Sequence, residues 1–320
     1  IDEEKAIRLI RYAVDKGVNY VDTAYMYHGG NSEVVLGRAL KDGYREKVFL
    51  ADKMPIWLAE KAGGVEALFE EQFRRLDVEF IDFYLVHNLT KSIWQDVKEK
   101  NVLPFLEKMK AEGRIGKIGF SFHDELDVFK EIVDEYPWEF CQIQLNFMDK
   151  EFQAGVAGLK YAAEKGLPVV IMEPLKGGKL VKALPDSVAA LWESFPVKRT
   201  PAEWALRWVA DFPEVLTILS GMSEIEEVDE NIRILENASP GSLTEEEKSL
   251  IGKVSAEYKN LIKASCTACR YCMPCPKGID IPRVLDQYNQ WHMYRSVRES
   301  RRQYGFLKKG SRPVDCIDCK

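Results

Sequence analysis

Compact apolar runs alternate along this chain with segments whose apolar residues recur every three or four positions. Over 4–16 (EKAIRLIRYAVDK), Ile7, Ile10, Ala13 and Val14 share one helical face, and Gly17 follows as a stop signal. A short strand is expected at 19–24 and a helix at 32–40, with Ser32 as its N-cap. The alternation continues with apolar runs at 48–53, 80–87, 117–122, 140–147, 169–174 and 215–221, and helical segments at 64–76, 102–112, 124–135, 155–165 and 201–210. Residues 244–262 predict one more helix, capped by Thr244 with Glu247 three positions on. Short strands separated by helices call for a parallel sheet covered on both faces.

A doubly wound sheet and a closed barrel share that alternation. The turn after the first strand lacks G-x-G-x-x-G, the marker of the dinucleotide-binding doubly wound fold. The count is seven strands and eight helices, opening on a helix. The expected fold is therefore an α/β (β/α)8 TIM barrel whose first strand is missing from this chain, which would begin inside a longer polypeptide.

Composition adds a second region. At 320 residues the chain exceeds the ~250 of a barrel alone. Its 46% hydrophobic and 30% charged residues fit a globular protein and exclude a disordered or collagen-like chain. No apolar stretch is long enough to span a membrane and no signal peptide opens the chain, so a cytoplasmic protein is expected. The net charge of -6 hides a division: residues 264–320 carry 11 Lys and Arg against 5 Asp and Glu, leaving -12 for residues 1–263. Six of the seven cysteines also fall in the basic part. The expected organisation is a barrel over 1–240, a linking helix over 241–263, and a small cysteine-rich domain over 264–320 that is cut short at its end.

Residues 266–276 read CTACRYCMPCP, which resembles the ferredoxin run C-x2-C-x2-C-x3-C-P with one residue fewer before the last cysteine. A second C-x2-C follows at 316–319. A disulfide framework is disfavoured because nothing indicates secretion. A zinc site built from two C-x2-C pairs stays open, and one or two 4Fe-4S clusters account for the pattern best. By the logic of two-cluster ferredoxins, Cys266, Cys269 and Cys272 share a cluster with a cysteine of the second run, and Cys275 joins Cys316 and Cys319. The stretch 295–312 sets seven basic residues against Glu299. It reads as counter-charge to anionic clusters, or as a docking face for an acidic redox partner such as a ferredoxin, rather than as a nucleic-acid surface.

Barrel chemistry collects at the carboxyl ends of strands. Those ends present Asp22, Tyr27 shortly after it, Lys53 and His87. Each alone reads as a turn former, a loop aromatic, a solvated end or a packed histidine. Four such endings in succession, in a chain with four histidines, point to a catalytic set. At VDTAYMYHGGNSE (21–33), DK (52–53) and YLVHN (84–88) the chain resembles the aldo-keto reductase superfamily, and the resemblance runs over roughly 1–235. It implies that Tyr27 is the proton donor, surrounded by Asp22, Lys53 and His87. An ammonium favours the ionised form of a neighbouring phenol, a carboxylate steadies a buried ammonium, and an imidazole can donate to a carbonyl oxygen as charge develops.

The resemblance also implies a cofactor strip. Ser121 and Gln142 stand where the family contacts the nicotinamide carboxamide, and Met172 where an aromatic often stacks on the ring. Residues 174–178, with Pro174 and Leu175, and 220–231, with Gly221, Ser223 and Asn231, match the pyrophosphate and adenosine segments. The usual asparagine after Ser121 is Phe122, and Glu224, Glu226, Glu227, Asp229 and Glu230 replace the basic residues that clamp a 2′-phosphate. NADH, NADPH and flavin all stay open. The phrases FSFHDELDVFKEIVD, MEPLKGGKL and CTACRYCMPCPKGIDIPRVLDQYN further resemble the subgroup with a ferredoxin-like extension. The function implied is interconversion of a small-molecule carbonyl and alcohol, coupled to electron transfer through the clusters. The alternative is an electron-transfer or docking subunit with a non-catalytic barrel. Cys141 reads as a packed thiol, His28 and His123 as rim residues, and 184–200 as a substrate-side loop.

Overall fold

In the computed structural model, which describes residues 2–267 and 269–319, seven strands form one parallel sheet in sequence order. They are β1 (Tyr20–Asp22), β2 (Phe49–Met54), β3 (Ile81–Leu89), β4 (Ile115–Phe122), β5 (Phe140–Gln144), β6 (Val169–Met172) and β7 (Val215–Ile218). Among the described residues β1 and β7 each pair on one side only. The expected closed barrel is thus a curled seven-stranded sheet, with its two outer strands half-buried and its inner strands largely buried.

Each crossover helix buries an apolar stripe. Val65–Leu76 buries Leu68, Phe69, Phe73 and Leu76, and Leu126–Glu135 buries Phe129, Ile132 and Val133. On the sheet, Ala51, Leu85, Phe140 and Val170 form a core layer against which Tyr20, Phe83 and Leu219 pack. Register places Asp22 opposite Ala51, Lys53 opposite Leu85, and Ser121 opposite Gln142. The strand ends therefore share one rim.

The contacts group the chain into two units, 1–174 with 206–242, and 175–205 with 243–320. In the second unit, Glu245–Asn260 begins with the expected capping box between Thr244 and Glu247 and packs on Asp186–Ser194. Residues 184–200 are accordingly not a plain loop. Val188 and Trp192, four apart, bury one face of a helix, and Trp192 stacks on Trp204 with centroids 5.4 Å apart. Ile281–Tyr294 and Val297–Gly305 are two further helices, and the cysteine run before them is irregular. No helix among the described residues is long and apolar enough to cross a membrane.

Candidate active site

Asp22 ends β1, and the chain turns through the short helix Tyr27–Gly30, where His28, Gly29 and Gly30 are left-handed. At φ 91° Gly30 occupies backbone space closed to most side chains. That turn brings Tyr27 back over the sheet, 39% exposed and open to a substrate. Lys53, on the neighbouring strand, is fully buried. Its ammonium donates to Asp22 Oδ1 and, at 2.9 Å, to the Thr23 carbonyl. Lys53 Nζ lies 4.9 Å from the Tyr27 ring centroid. His87, on the third strand, meets Tyr27 edge-on at 5.9 Å, and Trp57 packs on its other side at 5.5 Å.

Charge states follow from burial. Burial raises the Asp22 carboxyl, opposed by the adjacent ammonium. For Lys53, burial alone would favour neutrality, but the charge and hydrogen bond of Asp22 oppose it and the ammonium is held. His87 is pushed down to about 3 by burial, with Lys53 and His123 adding repulsion, so its imidazole is neutral. His87 Nδ1 and Asp22 Oδ2 are buried without a hydrogen-bond partner among the described residues.

The cofactor strip divides. Ser121 and Gln142 are both buried and face one another in register. Ser121 Oγ accepts the Asn88 N–H at 2.7 Å, while Gln142 Oε1 is a buried acceptor without a donor among the described residues. An unfilled acceptor of that kind fits a carboxamide N–H. Met172 is half-buried at the end of β6, and Pro174 is buried two residues on. Leu175 falls in the second unit. Gly221 has open space around it, Ser223 donates its backbone N–H to Glu227 at 2.8 Å, and the Asn231 amide donates to Ser220 Oγ at 3.0 Å. Beside Glu227, Glu224 is partnered by Lys5 at 2.5 Å and Asp229 by the Tyr12 hydroxyl at 2.7 Å, both from the first helix. Phe122 is fully buried against Phe129 and serves the core.

Cys141 is the packed thiol expected. His28 is exposed in the turn. His123 is half-buried, and burial lowers its pKa. Among the described residues none of the seven cysteines forms a disulfide, and no three His, Cys, Asp or Glu side chains converge as a metal site. Cys266, Cys269, Cys272, Cys316 and Cys319 are exposed and Cys275 is half-buried. The iron–sulfur ligand sets are therefore not seen assembled. Their donor chemistry, thiols at C-x2-C spacing, still fits a cluster, and such thiols converge as metal binding drives local folding.

Residues 1–251 match the profile of the aldo/keto reductase family. The chain belongs to that family. It is 29% identical to probable aldo-keto reductase 1 of Glycine max, over 73% of this chain and 76% of that protein. Among solved structures it resembles the holo form of aldo-keto reductase AKR11C1 from Bacillus halodurans, at 28% identity and TM-score 0.65, covering 79% of this chain and 88% of that one. An aldo-keto reductase from Klebsiella pneumoniae in complex with NADPH is similar at 25% identity and TM-score 0.64, covering 79% and 85%.

Proposed function

We propose that this oxidoreductase interconverts a carbonyl and an alcohol in small molecules, with Tyr27 and His87 as the catalytic groups and Lys53 and Asp22 as their tuners. The observation that carries the reading is the meeting of a reachable phenol, a buried ammonium and a neutral imidazole at the ends of three successive strands. A nicotinamide cofactor, when bound, supplies the hydride; NADPH on the Klebsiella pneumoniae relative supports that class.

Tyr27 Oη gives its proton to the carbonyl oxygen in reduction and takes it back in oxidation. The Lys53 ammonium steadies the phenolate left behind, and Asp22 holds the ammonium in place. The His87 imidazole donates its one N–H to the carbonyl oxygen and orients it. Ser121, Gln142 and Met172 would hold the nicotinamide; Pro174, Gly221, Ser223 and Asn231 would hold its phosphate and adenosine end. Tyr27→Phe is expected to lower kcat by ~10²–10⁴-fold while leaving cofactor binding intact. Unchanged turnover would remove this mechanism, and a released flavin would replace the nicotinamide.

The reading extends to 264–320, joined through 241–263 to a reductase region over 1–240. Cys266, Cys269, Cys272, Cys275, Cys316 and Cys319 would hold one or two 4Fe-4S clusters and exchange electrons with a ferredoxin-like partner. Anaerobic purification should yield iron and acid-labile sulfide that Cys→Ser variants lose. Zinc without sulfide would remove this part alone. A second reading, a docking or electron-transfer subunit with an inactive sheet, draws on Phe122 serving the core. An active parent with an inactive Tyr27→Phe variant eliminates it.

A further inference from the structure

Behind Lys53 lies a polar cluster that the strand-end residues do not use. Side chains alternate along a strand, so Lys53 faces the site and Asp52 faces away, toward the helices Ser32–Ala39 and Val65–Leu76. Asp52 is fully buried there, and so is Glu33, from the first turn of Ser32–Ala39. The two carboxyl groups lie side by side, each within the other's field.

The donors around them can be counted. Asp52 Oδ1 accepts the Lys53 backbone N–H at 2.8 Å, and Asp52 Oδ2 accepts the Gln72 amide at 2.7 Å. Gln72 is locked in that orientation because its own oxygen accepts the Tyr84 hydroxyl at 2.6 Å. The same Gln72 nitrogen reaches the Lys53 carbonyl at 3.1 Å. Glu33 Oε2 accepts from Arg75 at 3.1 Å, and Arg75 is shared with Glu71 at 2.8 Å. The Gln72 amide also neighbours the Glu33 carboxyl, but among the described residues none donates to the buried Glu33 Oε1. One donor is missing, in a place where two buried carboxyls lie together and Arg75 is the cation that hydrogen-bonds Glu33.

We propose that Asp52 and Glu33 hold a single proton between them, and that this pair is a positioning element for Lys53. The proton fills the gap at Glu33 Oε1 and leaves one negative charge opposite Arg75. Two ionised carboxylates in contact in a dry interior would repel, and neither could reach water. The pair holds Lys53 through both its backbone polar atoms, directly at the N–H and through Gln72 at the carbonyl. Burial and the facing Glu33 push Asp52 well above the ordinary carboxylate range, in keeping with a retained proton. The charged and titratable groups facing the pair are Arg75, Glu70 and Glu71 from Val65–Leu76, Tyr84 from β3 and Lys53 from β2.

The positioning role rests on Lys53 serving the reductase site; the proton does not, and the experiment separates the two. At neutral pH the parent should show the infrared C=O stretch of a buried, protonated carboxylic acid, absent from Asp52→Asn and from Glu33→Gln. A parent without that band overturns the proposal. The unfolded chain loses this proton in the ordinary carboxylate range and the folded chain keeps it. The pair's contribution to stability is thus full below that range and is lost as pH rises through the pair's own, higher value. The Tm of the parent should therefore fall relative to Asp52→Asn as pH rises above the ordinary carboxylate range, and parallel curves would count against the shared proton. In turnover, Asp52→Ala should lower kcat by ~10²-fold with little change in KM. Glu33→Gln, whose amide N–H stands in for the proton at Oε1 while its oxygen still accepts from Arg75, should keep most of the parent's turnover. Equal losses in the two variants would overturn the positioning role. If Asp52→Ala does not fold, the infrared and Tm comparison of the parent with Asp52→Asn decides. A Tyr27→Phe variant with full turnover would remove the reductase mechanism and leave the infrared result standing.

Discussion

Lys53 is the residue on which the site's electrostatics turn. It is fully buried, and its ammonium is tied to Asp22 and to the Thr23 carbonyl. Lys53→Met leaves the Asp22 carboxylate buried without its cation, a change that costs ~3–5 kcal/mol for pairs of this kind. Denaturant unfolding should show that loss at neutral pH. The deficit should shrink as pH falls, because burial already raises the Asp22 carboxyl and a proton can replace the missing charge. His87 behaves in the opposite sense. Its folded form stays neutral down to about 3, whereas an unfolded histidine charges near 6.5. The stability it contributes is present above the unfolded value and is lost as pH falls from there to about 3. A Tm series over that interval should fall more steeply for the parent than for His87→Gln.

At the scale of elements, the close crossing of Ser32–Ala39 over the end of Val65–Leu76 is what brings Glu33 to Arg75. Gly37 permits it. A Cβ at that position would sit 2.2 Å from the Leu76 carbonyl oxygen and 3.1 Å from that of Arg75. Gly37→Ala should destabilise the protein by ~1–3 kcal/mol, measured by thermal or denaturant unfolding, since backbone rather than a yielding side chain is in the way. The strands and most crossover helices were legible because apolar period is a local property. Other helices were not, among them Ile281–Tyr294 and Val297–Gly305 in the basic segment and three before it. Lys91–Glu99 buries only Trp94 and Val97, too few for a visible stripe. Asp186–Ser194 lies between prolines and looked like an excursion. Ile225–Glu236 was hidden under a cofactor-strip motif, although Val228, Asn231 and Ile234 bury one of its faces.

For the whole molecule, the sequence by itself determined the alternation of strands and helices, the family, and the placing of Asp22, Tyr27, Lys53 and His87 at successive strand ends. Each of these depends on residue spacing along a short stretch of chain. It also isolated six cysteines in a basic segment, because composition needs no coordinates. Iron and sulfide analysis is the measurement that decides what they bind. Tertiary structure decided the charge states. Asp52 stands in the sequence only as the neighbour of Lys53; the helices that fold over it make it a buried acid facing Glu33. His87 is neutral for the same reason, since the groups that desolvate and repel it come from other strands and loops. Burial and field at a side chain are set by what packs there from distant parts of the chain, which no local spacing records.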